Sequence, residues 1–265
     1  MPLTDLIRYF NSSDLASDST LYPEGERAAA WHDGLRLRSL FQPIVALPDG
    51  QVVGHQAFLD ISTDAGESLT SEAVYARCTS AESIVHFDRL SRTLHALNFL
   101  AQRRHTGGYL QLQIHPRHLL AVPSQHGLVF EAILRRCGLA PDDIVLELAA
   151  DKLGDIDKLN AAAHSYRQRG YRIALTGQPV LAGALEADIV KYGSQQPPPG
   201  VCAVRHAAAI DSPSALKQAI AHGATLGQGS LFGEAEHDCR ATHNDLRVAY
   251  NRANSFRRSP DENRQ

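Results

Sequence analysis

The sequence predicts an α/β protein built as a closed (β/α) barrel, on three observations. Strand-like and helix-like segments alternate from residue 39 to residue 232, the pattern of a parallel sheet with covered faces. About eight strand candidates fall within about 200 residues, which favours closure into a barrel over an open sheet. No GxGxxG follows a first strand, so the open doubly wound sheet, which remains the alternative, lacks its dinucleotide signature. At 265 residues, with 43% hydrophobic and 21% charged residues, the chain can bury a large core and is too apolar to be disordered throughout.

Each element has a local reason. Leu6, Ile7, Tyr9 and Phe10 form a short apolar patch that fits a small docking helix, and SSDLASDSTLYPEG (12–25) reads as a linker. A charged helix is expected at GERAAAWHDG (25–34). SLFQPIVAL (39–47) and QVVGHQAFLDI (51–61) are strands joined by the Pro48–Gly50 turn. Ile84, Phe87, Leu90, Leu94, Leu97 and Leu100 recur at helical spacing within 81–104. Strands then follow at 107–114, 143–149 and 171–176, separated by helices at 126–139 and 155–170, with Gly138 and Gly170 at the helix ends. Residues 184–193 read as a short helical lead into a strand, and 201–210 as another strand. The helix 212–223 carries Ser212 as cap, Pro213 at its first position and Gly223 at its end. A short strand within 224–232 completes the set, and Leu246, Ala249, Tyr250, Ala253 and Phe256 mark a helix over 242–257 before a polar tail. The expected organisation is an N-terminal extension and linker (1–33), a barrel (34–233) and a C-terminal helix with disordered tail (234–265).

Several function classes are disfavoured. A net charge of −3 provides no basic field for generic nucleic-acid binding. No run approaches the roughly 20 apolar residues of a membrane span, and MPLTDLIRYFNSSD lacks the basic start and apolar run of a signal peptide. Cys78, Cys137, Cys202 and Cys239 have no CxxC spacing and read as reduced thiols, hence a cytoplasmic expectation. His115 and His118 have metal-like spacing, but Pro116 between them is read as spoiling a helix start, leaving polar strand-end residues. His237, Cys239 and His243 resemble zinc spacing without a nearby fourth ligand. Arg103, Arg104 and His105 read as a solvated helix end.

FQPIV followed by a turn and VVGHQAFL resembles the opening of the EAL domain, the bacterial cyclic di-GMP phosphodiesterase fold, which begins YQPIV and reaches a strand ending in E-A-L. Six further segments follow in the family's order. LQLQIHPRHL (110–119) resembles VNLSxxxL, IVLELAADKL (144–153) resembles LELTES, and RGYRIALTG (169–177) sits where the family has GxxIALDDFG. DIVKYG (188–193) resembles DxxKID, AAAIDSPSAL (207–216) resembles AEGVETxxQ, and GATLGQGSLFG (223–233) resembles GCxxxQGxxF. The resemblance covers 36–233. It implies a modified TIM-like barrel with one antiparallel strand, and two-metal phosphodiester hydrolysis by carboxylates at the strand ends.

The same resemblance implies that the metal site is lost. Gln56 replaces the E-A-L glutamate, and Gln113 the metal-binding asparagine. Glu147 keeps the first glutamate of its motif, but the later one is Ala150. Thr176 and Gly177 replace paired aspartates. Lys191 is kept, but Gly193 follows where an aspartate is expected. Ala208 and Asp211 stand for the two glutamates of AEGVE, and Gln228 keeps the glutamine of QGxxF. Asp60 falls where nucleotide-binding members carry an arginine. Glu147 beside Lys191 reads as an ion pair. The short spans from Thr176 to Lys191 and from Lys191 to Ala208 imply one or two shortened or missing outer helices. The expectation is a catalytically inactive regulator or adaptor, with no cofactor or metal, acting on a protein partner. The second expectation is a non-hydrolysing cyclic di-GMP receptor using Gln42 and Gln228. The third is a residual enzyme using Glu147, Asp211 and Lys191 with Glu186 or Asp188. The Leu246–Phe256 stripe is read as internal packing or a partner contact.

Overall fold

The computed structural model describes residues 2–13, 19–122, 126–153, 155–177, 187–193 and 204–239. Eight strands close a barrel: β3 (Leu35–Ala46), β4 (Gln51–Thr63), β6 (Tyr109–Ile114), β7 (Ile144–Ala149), β8 (Arg172–Thr176), β9 (Ile189–Tyr192), β10 (Val204–Ala207) and β11 (Leu226–Gly227). β4 through β11 run parallel in the order β4-β6-β7-β8-β9-β10-β11, while β3 is antiparallel to both β4 and β11 and closes the ring. β5 (Ser68–Leu69) extends the edge of β4. Closure agrees with the barrel read from the alternation, and the one antiparallel strand with what the resemblance implies.

The wall is covered by α1 (Leu3–Ser13), α2 (Ser71–Arg77), α3 (Ala81–Thr106), α4 (Pro116–Ala121), α5 (Leu128–Cys137), α6 (Ala150–Leu153), α7 (Ile156–Gln168) and α8 (Pro213–Ala221). The long helix α3 buries Phe87, Leu90, Leu94 and Leu97 against the outer faces of the strands, where Leu110, Leu112, Leu146 and Leu148 meet them. Burying one such side chain contributes roughly 1.5–3 kcal/mol, so this seam is a principal source of stability. α5 stops at Gly138 (φ +78), whose N–H closes back on Arg135 and Leu134 carbonyls. The Ser212 side chain accepts from the Ala215 N–H at the start of α8, with Pro213 at its first position.

Two expectations are corrected. Residues 19–34 form neither a simple linker nor a helix but a β-hairpin, β1 (Ser19–Glu24) and β2 (Arg27–His32), added to β3. Gly25 (φ +62) begins its two-residue turn, and Asp33 (φ +48) with Gly34 (φ +72) turns β2 into β3, as Asp-Gly pairs favour. Ala28, Ala29 and Ala30, good helix formers, are fully buried in this sheet; tertiary packing overrides their propensity. Pro116, in turn, starts α4: at its first position the missing N–H would have no helical partner, and His115 caps the helix by accepting from the Arg117 N–H. The N-terminal patch forms α1 as expected, with Leu6, Ile7 and Phe10 buried, and Asn11 bonds both the N–H and the carbonyl of Leu21 on β1.

Residues 234–239 fold back along the molecule. Phe41 and Glu236 exchange both backbone hydrogen bonds, filling the gap on β3 between its pairings with β2 and β11. The expected helix over 242–257, the Gln195–Gly200 tract and most of both shortened spans lie outside the described residues. Among the described residues no helix is long and apolar enough to cross a membrane.

Candidate functional site at the barrel mouth

The registers place one set of side chains inside the barrel. The lower layer is apolar: Ile44, Tyr109, Val145, Ala174 and Ile189 pack together there. Above it, toward the C-terminal strand ends, the inward positions turn polar: Gln56 pairs across to Gln42 and Gln111, Gln113 to Glu147, and Lys191 to His206. Gly54 marks the close approach that sets this layer, since a Cβ there would lie 2.8 Å from the Tyr109 ring and carbonyl.

Glu147 is the centre of the cluster. Its Oε2 accepts from Gln56 Nε2 at 3.0 Å, from Gln111 Nε2 at 2.5 Å and from Lys191 Nζ at 3.2 Å. Lys191 Nζ also donates to Gln56 Oε1 at 2.5 Å. The Glu147 and Lys191 side chains are only 6% and 11% exposed, so the carboxylate is tolerated there because a cation and two amides surround it. A second glutamine pair lies beside it: Gln228 Nε2 donates to Gln42 Oε1 at 2.9 Å, and Gln42 Nε2 donates to the Gly233 carbonyl at 3.1 Å. The turn holding Gln228 needs Gly229 (φ +157), where a Cβ would come within 2.4 Å of the Ile210 backbone.

The other sequence-derived positions stand apart from Glu147. Gln113 shares its register but is exposed at the rim. Thr176 is half-buried at the end of β8, and Gly177 follows at φ +113. Ala208 donates its N–H to the Tyr192 carbonyl. Asp211 is exposed, and its Oδ1 accepts from both the N–H and the hydroxyl of Ser230, which lowers its carboxyl pKa. Among the described residues no hydrogen bond or ion pair joins Asp211 to Glu147 or Lys191. Asp188 accepts from the Ile173 N–H at 2.8 Å and meets Arg167 at 3.4 Å, while Glu186 lies outside the described residues. Asp60 lies 4.0 Å from Arg38 and 3.8 Å from His237.

Two contributors were missed by sequence reasoning. Gln111 lies two residues before Gln113, hence on the same strand face, and it is Gln111 that reaches Glu147. His206 is fully buried beside Lys191; burial first, then the neighbouring ammonium, holds its imidazole well below the usual histidine range, so it is neutral. Alternation along β6 from Gln113 was the available signal for Gln111, whereas the place of His206 follows from the β9–β10 register.

A two-metal centre needs several carboxylate oxygens free to bind hard cations. Here the one carboxylate of the buried cluster spends an oxygen on three N–H donors, one of them an ammonium. Among the described residues no group of three or more His, Cys, Asp or Glu is placed to hold a metal ion. The donor set does not fit that centre. Nor do His237 and Cys239 make a thiolate site: burial first, then Asp238, pushes the Cys239 thiol up to about 12, and His237 Nδ1 donates to the Ser39 carbonyl.

A TIM-like barrel with one antiparallel strand and a polar site at the C-terminal strand ends defines a class of barrel proteins whose chemistry is set at that mouth. The EAL domain model matches residues 28–178, more than half of the chain, and the chain belongs to that family of cyclic di-GMP phosphodiesterases. Among solved structures, the Bacillus subtilis YkuI protein, with an EAL domain in complex with substrate c-di-GMP and calcium, matches with a TM-score of 0.67 and 17% identity over 83% of this chain and 62% of that one. A standalone versatile EAL protein from Vibrio cholerae O395, in a c-di-GMP bound form, matches with a TM-score of 0.60 and 15% identity over 79% and 97%. The FimX EAL domain from Pseudomonas aeruginosa, bound to c-di-GMP, matches with a TM-score of 0.63 and 14% identity over 89% and 97%. At these identities the likeness is one of fold. No curated protein matches the chain.

Proposed function

We propose that this chain is a catalytically inactive EAL-domain protein that regulates cyclic di-GMP-related signalling through contact with another protein. The observation that carries the reading is the engagement of Glu147: Lys191, Gln56 and Gln111 all donate to Oε2 of the cluster's single carboxylate. With Gln56 and Gln113 contributing no charge, the mouth can neither collect two dications nor generate a metal-bound hydroxide. The family fold without its chemistry leaves surfaces as the means of action. The test is turnover of cyclic di-GMP by the full chain with magnesium or manganese. No hydrolysis is expected, and metal-dependent turnover that Glu147→Gln abolishes would overturn the proposal.

A second reading, a non-hydrolysing cyclic di-GMP receptor, is favoured by one feature: Gln42 and Gln228 form a hydrogen-bonded pair at the mouth. It predicts metal-independent binding by calorimetry that weakens in Gln42→Ala and Gln228→Ala. Asp60 at the rim opposes it, because a carboxylate repels a phosphate.

A further inference from the structure

A second polar cluster lies outside the barrel wall, under α2 and α3, and borders a cavity of about 200 Å³ lined by residues of β4, β6, α2 and α3. That volume has room for several waters or a small organic molecule. Ala57, Leu59 and Leu112 supply apolar wall, and Arg92 and His95 supply polar wall. Both are deeply buried, at 3% and 6% exposure.

Their bonding leaves each with a donor to spare. Arg92 gives Nη2 to the Asp88 carboxylate and Nε to the Asp88 carbonyl, and its guanidinium lies 4.7 Å over the Phe130 ring; Nη1 makes no hydrogen bond among the described residues. Tyr75 donates its hydroxyl to the other Asp88 oxygen at 3.1 Å, so Asp88 is satisfied and neutralises Arg92. His95 Nδ1 lies 2.9 Å from the Ser39 hydroxyl, which already accepts from Asn98 Nδ2. Among the described residues the Ser39 hydroxyl hydrogen has no acceptor other than Nδ1, so we assign it there, and the hydrogen of the neutral imidazole to Nε2.

We infer that this cavity is a binding site for a small, uncharged molecule with a carbonyl or amide oxygen on a compact planar body. The oxygen would accept from Arg92 Nη1 and His95 Nε2, and the body would lie against Ala57, Leu59 and Leu112. A free cation would meet the Arg92 guanidinium, and the carboxylates that line the cavity are already engaged, Asp88 by Arg92 and Glu72 by Lys152 and His115. An anion would meet a guanidinium already neutralised by Asp88, with Glu72 at the rim. The inference is independent of the reading of the barrel mouth. Gln113 lines both the cavity and the rim of the mouth, so an occupant would reach the edge of that site.

The test is ligand-observed NMR on the full chain with benzamide, toluene and benzylamine. Saturable benzamide binding at least tenfold tighter than toluene, with no benzylamine binding, is expected. Ser91→Leu fills the cavity and removes a hydroxyl that only back-bonds to the Phe87 carbonyl, so folding should persist while benzamide binding falls at least tenfold. Equal binding of toluene and benzamide, binding indifferent to Ser91→Leu, or no binding would each overturn the inference. Should Ser91→Leu not fold, a crystal of the unmodified chain soaked with benzamide decides it: the amide oxygen lies on Arg92 and His95, or the inference fails.

Discussion

Two buried ion pairs stand on opposite sides of the same barrel wall. Inside, Lys191 meets Glu147 with two glutamine amides sharing the load. Outside, Arg92 meets Asp88, with Tyr75 and His118 completing the shell; His118 Nδ1 lies 3.2 Å from Asp88. The inner pair occupies the place where the family's chemistry happens, and its donors converge on one oxygen. The outer pair anchors α3 to α4, uses both carboxylate oxygens, and leaves donor capacity beside a cavity. The comparison teaches that burial of charge serves two ends here: one cluster ties together four strands at the barrel mouth, while the other holds helices to the wall.

The largest effect is expected at the outer pair. Asp88→Ala strands a buried guanidinium and should cost about 3–5 kcal/mol, read by urea denaturation, or prevent folding. Lys191→Met should cost less, about 1–3 kcal/mol, because Gln56 and Gln111 still satisfy the carboxylate. If Lys191→Met proves the more destabilising, the ranking of the two clusters is wrong.

Acid should also load the buried histidines of both sides, His206 inside and His95 and His118 outside. Burial, the dominant cause, holds His118 down at about 4 and His95 down at about 3, with Arg92 also disfavouring the charged His118 and Asp88 opposing. Between about pH 6.5 and 4 the unfolded chain therefore binds protons that the folded chain does not, and stability falls as pH falls, by up to about 1.4 kcal/mol per pH unit for each histidine. Burial raises the Asp88 carboxyl, but Arg92, His118 and its hydrogen bonds outweigh that and hold it below its usual value, so its contribution is lost only at still lower pH. Urea titrations from pH 7.5 to 5 check the slope, and His118→Gln should flatten part of it.

The smallest effect belongs to the exposed rim, where Glu72 meets Lys152 at 3.1 Å and His115 at 3.2 Å. Lys152→Ala should change stability by less than about 1 kcal/mol, within the range of surface ion pairs, and thermal melts would show whether solvent screens it as expected.

Much of the fold was legible because it is local. The 3.6-residue spacing in α3, the Ser212-Pro213 start of α8 and the strand alternation each have a cause within a few residues. The hairpin at 19–32 was not, since its alanines favour helix until α1 and α3 bury them; the Asp33-Gly34 turn from β2 into β3 was the overlooked signal. For Pro116 the local rule was available but misapplied. At the mouth, the ordered segments located Gln56, Glu147 and Lys191 and pointed to an ion pair, which the structure contains. They could not say that Gln111 joins the pair or that Asp211 turns away to Ser230, because register across strands decides both.

The sequence by itself determined the alternation that requires a covered sheet, the family's ordered segments, and the shortage of carboxylates at their ends. Those follow from residue type and spacing along one chain. Only the tertiary structure decided how charge is distributed. Glu147, Gln56, Gln111 and Lys191 come from four different strands, and Asp88, Arg92, His118 and Tyr75 from three helices. Whether a buried carboxylate is a ligand, a structural partner or a wall depends on which donors reach it, and those distances exist only once the barrel has closed.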